Sequence, residues 1–74
     1  MTAEQIQRLI EKALPGASVE VRGGEGKFEV SVISPAFEGL STVKRHQLVY
    51  AAVEEQIASG ELHALTIKTA SPQG

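Results

Sequence analysis

The stretch that decides the fold is residues 17–33, ASVEVRGGEGKFEVSVI. Apolar and polar residues alternate there on both sides of a glycine-rich segment, Gly23–Gly26. A period of two is typical of strands with one buried face. We therefore predict two antiparallel strands, the second over about residues 27–34, joined by a flexible hairpin loop at Gly23–Gly26. The apolar positions of the two strands are Ala17, Val19, Val21, Phe28, Val30 and Val32.

A helix is predicted before this hairpin, over about residues 3–14. Thr2 and Gln5 have the spacing of a capping box at its start. Pro15-Gly16 ends the pattern, because proline cannot continue a helix and glycine accepts a left-handed exit. The apolar residues that recur at helical spacing are Ile6, Leu9, Ile10, Ala13 and Leu14.

A second helix is predicted after a turn over residues 34–39. Ser41 is a suitable N-cap, and Ser59-Gly60 ends the helix. We expect this helix to cover one face of the sheet with a single apolar stripe. The stripe consists of His46, Val49, Tyr50, Val53 and Ile57.

A third strand is predicted from Leu62 to Thr69, followed by a loose tail from Ala70 to Gly74. The order of elements is then helix, strand, strand, helix, strand. A three-stranded sheet needs cover on its apolar face, and two amphipathic helices supply it. The sequence predicts an α+β two-layer sandwich with a three-stranded mixed sheet, in one domain over residues 1–74.

Composition restricts the chemistry of the chain. The 74 residues include no cysteine, which excludes disulfides, thiolate nucleophiles and cysteine ligands for zinc or iron. The net charge of −2 gives no strong positive field for nucleic acid or anionic lipid. Apolar runs are too short for a membrane span or a signal peptide, which predicts a cytoplasmic protein. No acidic pair is spaced to act with a nucleophile, so an enzyme is the least favoured class.

Three features of lesser specificity carry possible chemistry. Gly23–Gly26 precedes a strand instead of a helix, which argues against a P-loop for phosphate. Lys44 and Arg45 form a basic cluster near the start of the second helix, and either contact phosphate or an acidic partner or belong to a solvated face. His46 lies on the apolar stripe, where a packed histidine is expected.

His63 is the strongest candidate for a functional residue. It lies at the start of the third strand, just after the break at Gly60, where the strand can hold an imidazole that still meets solvent. Imidazole is the commonest metal ligand and a proton carrier near neutral pH, and it can equally be packed at a strand edge. His63 and His46 are too few ligands for a metal, so any metal needs ligands from another chain.

Three segments together resemble the BolA-like proteins, and among them the small bacterial IbaG-like branch. They are FEGLS at residues 37–41, VKRHQLVY at residues 43–50 and LHALTIKT at residues 62–69. The resemblance runs from the first helix to about residue 72, and the ordered combination is specific where each piece alone is weak. The family fold, which is similar to class II KH domains, agrees with the element order predicted above.

The resemblance implies a non-enzymatic adaptor in iron–sulfur cluster assembly or trafficking, or in iron-dependent regulation and the stress response. BolA-like proteins pair with monothiol glutaredoxins, and the two proteins can share a [2Fe–2S] cluster. The family histidine that matches His63 is a ligand to one iron, while the glutaredoxin cysteine and glutathione hold the other. A chain with a candidate histidine and no cysteine agrees with half of such a site.

Many family members carry a second ligand, histidine or cysteine, between the first two strands, where this sequence has Lys27. An ammonium group has no free lone pair for iron, so His63 alone is expected to contact the cluster.

Two alternative functions remain. A nucleic-acid-binding regulator would use Lys44 and Arg45, although the GxxG loop of a KH module is missing between the helices. A plain interaction domain, or a homodimer, would need only an exposed sheet edge or apolar patch.

Overall fold

Three helices and three strands follow one another in the computed structural model, which describes residues 1–72. The strands form one sheet in the order β1-β2-β3, antiparallel between β1 and β2 and parallel between β2 and β3. The predicted α+β fold with a three-stranded mixed sheet is confirmed. The elements are α1 Ala3–Ala13, β1 Ser18–Gly24, β2 Lys27–Ile33, a 3₁₀ turn Pro35–Phe37, α2 Thr42–Ala52, α3 Glu54–Ser59 and β3 Ala64–Ala70.

The first helix begins and ends as its sequence predicts. The N–H of Thr2 donates to Oε1 of Gln5 at 2.9 Å, and the N–H of Gln5 donates to Oγ1 of Thr2 at 3.2 Å, which completes the capping box. Ile6 and Ile10 are fully buried on the inner side of α1. The helix stops one residue earlier than predicted, ahead of Pro15.

The hairpin turn is tighter than predicted. β1 continues to Gly24, which pairs with Lys27, so the turn itself contains only Glu25 and Gly26. Their φ angles are 55° and 80°, and a type I′ turn requires positive φ at both central positions. The predicted antiparallel hairpin is confirmed, but its loop is shorter than Gly23–Gly26, because strand pairing leaves two residues to reverse the chain.

The predicted second helix consists of two helices that meet at Val53. The N–H of Val53 donates to the carbonyl of Tyr50 at 3.1 Å, a bond three residues long in place of the α-helical four. Val49 and Val53 are fully buried, whereas Tyr50 and Ile57 are 42% and 39% exposed. The predicted buried stripe is wrong for Tyr50 and Ile57, because Tyr50 lies at the edge of the stripe and the break at Val53 interrupts the helical phase before Ile57.

The third strand begins two residues later and ends one residue later than predicted. The N–H of Leu62 donates to the carbonyl of Gln56 in α3 at 3.1 Å, so Leu62 closes the helix instead of joining the sheet. At the other end Ala70 pairs with Ile33, and its carbonyl accepts from the N–H of Ser34 at 3.1 Å. The predicted loose tail is therefore wrong for Ala70. Residues 73 and 74 of that tail lie outside the described residues.

The core lies between the helices and one face of the sheet. The other face is exposed and polar, with Glu29 and Lys68 paired across β2 and β3 at 3.2 Å. Phe37, which the sequence places only in a turn, is fully buried and is the largest of the fully buried side chains. The rest of the core consists of Ile6, Ile10, Leu14, Val19, Phe28, Val30, Val32, Val49, Val53, Leu62 and Ile67.

Within residues 1–72, no helix has the length and apolar character that a membrane crossing demands.

Phe37→Ala is expected to lower the free energy of unfolding by about 3–5 kcal/mol, since it removes a fully buried ring from a thin core. Urea denaturation followed by circular dichroism measures the change. Val43→Ala is the control, because the Val43 side chain is 66% exposed, and its loss should change the free energy by no more than about 0.5 kcal/mol. Equal losses in the two variants would contradict this placement of Phe37.

Candidate functional site

His63 lies between α3 and β3, and its side chain is exposed. Its N–H donates to the carbonyl of Gly26 at 2.7 Å, and the N–H of Ala64 donates to the same oxygen at 3.0 Å. This oxygen belongs to the type I′ turn between β1 and β2. The backbone that carries the imidazole is therefore bound to a tight turn that is distant in sequence, a link that strand patterns do not predict.

The depression beside the imidazole exposes polar and apolar area in about equal parts, and it adjoins a mostly apolar depression along the helices. The first depression, of about 210 Å³, is lined by His63 together with Tyr50 and Ile57 from the helices, and by Leu62, Ala64 and Leu65. A second depression, of about 460 Å³, continues along α2 and α3 and shares Tyr50 and Ile57 with the first. We call the exposed area around these two side chains the Tyr50–Ile57 surface. It joins the candidate ligand to an apolar area on which another protein can pack.

Lys27 is next to the site in strand register, but its side chain belongs to another surface. It is exposed at the start of β2, where its Cα pairs with Ala64. It lines a depression with Arg22, Glu29 and Thr66, which are exposed residues of the three strands. The depression that holds His63 is lined by residues of the helices and of the start of β3, and Ala64 lines both depressions. Lys27 is therefore not among the residues that line the depression of the imidazole.

Lys44 and Arg45 have different surroundings although they are neighbours in sequence. Lys44 is exposed, whereas Arg45 is half-buried and its Nε donates to the carbonyls of Phe37 at 3.1 Å and Leu40 at 3.0 Å. The guanidinium carbon lies 5.9 Å from the centroid of the Phe37 ring, within cation–π range. Arg45 thus connects α2 to the segment that carries Phe37. The sequence predicts this residue as a surface contact and does not reveal its internal bonds.

The donor groups present do not form a metal site by themselves. Among residues 1–72, no three histidine or glutamate side chains come together in a way that could hold a metal ion. His46 is half-buried on α2, and the chain contains no cysteine. One exposed imidazole can bind an iron atom only where a second molecule supplies the remaining ligands. This donor set fits a cluster that is shared between two proteins and takes a single ligand from this one.

The class of the fold is defined by its topology: a hairpin, a helical crossover and a third strand parallel to the second. Comparison with known proteins identifies the family. The chain belongs to the BolA-like family: the family model described as BolA-like protein matches residues 6–74. The resemblance in its three sequence segments is confirmed.

Relatives agree with this assignment. The protein described as an uncharacterized protein in the rpoN-murA intergenic region of Acinetobacter guillouiae is 44% identical over 68 residues, which cover 92% of this chain and 82% of the relative. The acid stress protein IbaG of Escherichia coli K12 is 36% identical over 72 residues, or 97% and 86% of the two chains. BolA-like protein 1 of Bos taurus is 40% identical over 77 residues, which cover 90% of this chain and 56% of the bovine protein. This chain therefore spans just over half the length of that mammalian relative.

A solved structure shows the same fold. The structure of a BolA protein homologue from Coxiella burnetii matches with a TM-score of 0.87 at 36% sequence identity, covering 99% of this chain and 94% of that chain. The α+β architecture is thus that of BolA proteins, and it places His63 at the junction of the helical layer and the third strand.

Arg45→Ala is expected to lower the free energy of unfolding by about 2 kcal/mol, because it leaves two part-buried carbonyls without their charged donor. Lys44→Ala is the control, since Lys44 is exposed and its loss should cost no more than about 0.5 kcal/mol. Chemical denaturation of both variants under one set of conditions compares them. An Arg45→Ala variant as stable as Lys44→Ala would show that the two bonds contribute nothing.

Proposed function

We propose that this protein is a non-enzymatic adaptor that handles iron–sulfur clusters, in their assembly or trafficking or in iron-dependent regulation, together with a monothiol glutaredoxin. The two proteins share a [2Fe–2S] cluster, and the imidazole of His63 binds one of its irons. The observation that carries this proposal is an exposed imidazole in a depression that adjoins an apolar surface on α2 and α3, in a BolA-like chain that has no cysteine of its own.

The ligand count supports a shared cluster. A [2Fe–2S] cluster needs four protein or thiolate ligands, and histidine can take the place of cysteine on one iron. His63 is the exposed imidazole that this chain offers, and Lys27, which is near it in strand register, is a poor ligand because an ammonium group has no free lone pair. The glutaredoxin cysteine and glutathione supply two thiolates, which with His63 make three of the four ligands, so the fourth has to come from outside this chain. Histidine ligation raises the reduction potential of a cluster above that of all-cysteine clusters, which suits a protein that passes on or senses a cluster.

The Tyr50–Ile57 surface supports a partner at this place. Two large side chains, each about two-fifths exposed, lie in the depressions that continue from His63 along α2 and α3. A partner that brings its cysteine close to the imidazole has to cover this area. Burial of aromatic and aliphatic side chains next to a metal ligand would stabilise the complex and exclude water from the cluster.

A role in the stress response and a cytoplasmic location belong to the same proposal. One relative, IbaG of Escherichia coli, is described as an acid stress protein.

Nucleic-acid binding through Lys44 and Arg45 stays a prediction of lower rank. Lys44 is an exposed surface cation, whereas the Nε of Arg45 already donates to two carbonyls. Homodimerisation likewise stays a prediction.

Addition of this protein to cluster-loaded monothiol glutaredoxin should change the visible circular dichroism spectrum of the cluster, because histidine replaces a thiolate on one iron. His63→Ala should abolish the change while its far-ultraviolet spectrum stays that of the folded protein, since the side chain is exposed. The titration is followed at increasing ratios of the two proteins, with gel filtration to detect the complex.

Lys27→Ala is the matched control for this titration. Lys27 is exposed and pairs with the residue after His63, but its ammonium group is not a ligand, so the variant should behave as the wild type. An unchanged glutaredoxin spectrum in excess wild-type protein, with no complex on the column, would refute the proposed function. A Lys27→Ala variant that behaves like His63→Ala would refute the choice of ligand.

Tyr50→Ser and Ile57→Ser should each raise the dissociation constant for glutaredoxin about tenfold, which corresponds to about 1.4 kcal/mol of lost apolar contact. Val43→Ser is the control, because it removes an apolar side chain that is 66% exposed and lines neither depression. Calorimetric titration measures the three affinities. Equal affinities in all three variants would show that the partner binds elsewhere.

A further inference from the structure

We propose that Gly26 is a positioning residue, whose missing side chain makes room for the imidazole of His63 and holds the ring in one orientation toward the partner. The consequence for iron binding rests on the proposed function, since the orientation of the ring matters there only when a ring nitrogen is a ligand. The packing of the ring against Gly26 is a property of the isolated chain.

The imidazole lies where a side chain of residue 26 would be. A Cβ atom added to Gly26 would lie 2.3 Å from Cδ2 of His63, 3.2 Å from Cγ and 3.4 Å from Nε2. Gly26 is buried, although its neighbours Glu25 and Lys27 are exposed. Cδ2 is therefore the ring atom that faces the glycine. In an imidazole, Nδ1 and Cε1 are on the opposite side of the ring from Cδ2, so that side is turned away from the turn.

The turn geometry alone does not account for a glycine at this position. Glu25 has φ 55° in the same turn, so positive φ there is compatible with a side chain. Gly39 and Gly60 have φ angles of 78° and 84°, close to the 80° of Gly26, but an added Cβ at either of them would meet nothing within 4 Å. At Gly26 the backbone strain is the same, and the contact with the imidazole is additional.

Gly26 thus restrains His63 in two ways. Its carbonyl accepts the N–H groups of His63 and Ala64, which sets the backbone from which the imidazole projects. Because residue 26 has no Cβ, the Cδ2 edge of the ring can lie in the space that a side chain there would fill. A ligand that is restrained before its partner arrives loses less rotamer freedom on binding. Groups that orient a metal ligand commonly change metal affinity by about 10–100-fold.

The first test uses the isolated protein. Nuclear Overhauser effects from Hδ2 of His63 to the α protons of Gly26 should be present in the wild type, together with scalar couplings of a single χ1 rotamer. Gly26→Ala should change both, because a Cβ and the ring cannot occupy the same place. Gly39→Ala carries the same backbone strain without the contact, and should leave the His63 signals as they are. Identical His63 signals in wild type and Gly26→Ala would overturn the proposal.

A double-mutant cycle keeps the proposal testable if Gly26→Ala folds poorly. The cost of Gly26→Ala in the free energy of unfolding should be smaller in a His63→Ala background, where no ring is left to displace, and close there to the cost of Gly39→Ala. Equal costs of Gly26→Ala in the two backgrounds would show that strain in the turn, and not the imidazole, excludes the side chain.

The last test joins the packing to iron binding. Gly26→Ala should require about tenfold more protein than the wild type to reach the same change in the circular dichroism of cluster-loaded glutaredoxin, whereas Gly39→Ala should not. A Gly26→Ala variant that moves the ring but titrates like the wild type would overturn the positioning role. No spectral change with the wild type refutes the proposed function instead, and the contact between Gly26 and His63 is then judged by the magnetic resonance experiment alone.

Discussion

One carbonyl oxygen joins the two halves of this molecule. The carbonyl of Gly26 accepts the N–H of His63 at 2.7 Å and that of Ala64 at 3.0 Å, where the chain returns to the sheet after α2 and α3. Parallel strands cannot be connected by a hairpin, so β2 and β3 depend on this crossover to meet in register. The ladder from Lys27 with Ala64 to Ile33 with Ala70 continues from that point. The same contact places the candidate ligand at the end of the sheet.

The limits of a short chain explain the rest of the site. A chain of 74 residues has one thin core, and large apolar side chains such as Tyr50 and Ile57 remain partly outside it. These two exposed side chains lie next to His63, on the surface of α2 and α3. The lack of cysteine leaves any cluster dependent on a second protein. An apolar surface and an incomplete ligand set at one place both support the proposal that this protein acts in a complex.

Much of the fold could be predicted because its signals are local. The capping box at Thr2, the stop at Pro15 and the alternation through the hairpin depend on residues a few positions apart, and the element order follows from them. The errors occur where distant contacts decide. Phe37 looks like a turn residue in sequence, yet it is fully buried, and Arg45 of α2 donates to its carbonyl. No glycine or proline near Val53 indicates the helix break there.

The sequence by itself determined the order helix, strand, strand, helix, strand, apart from the break at Val53, because this order follows from local spacing. From composition it predicts His63 as a candidate ligand and the dependence of any cluster on thiolates from elsewhere. Only the tertiary structure decided that Lys27 and His63 line different depressions and that Gly26 lies beneath the imidazole. The physical reason is that Gly26 and His63 are far apart in the chain and meet only through the parallel pairing of β2 and β3. No local pattern encodes that pairing, since it depends on how the helices between the two strands pack on the sheet.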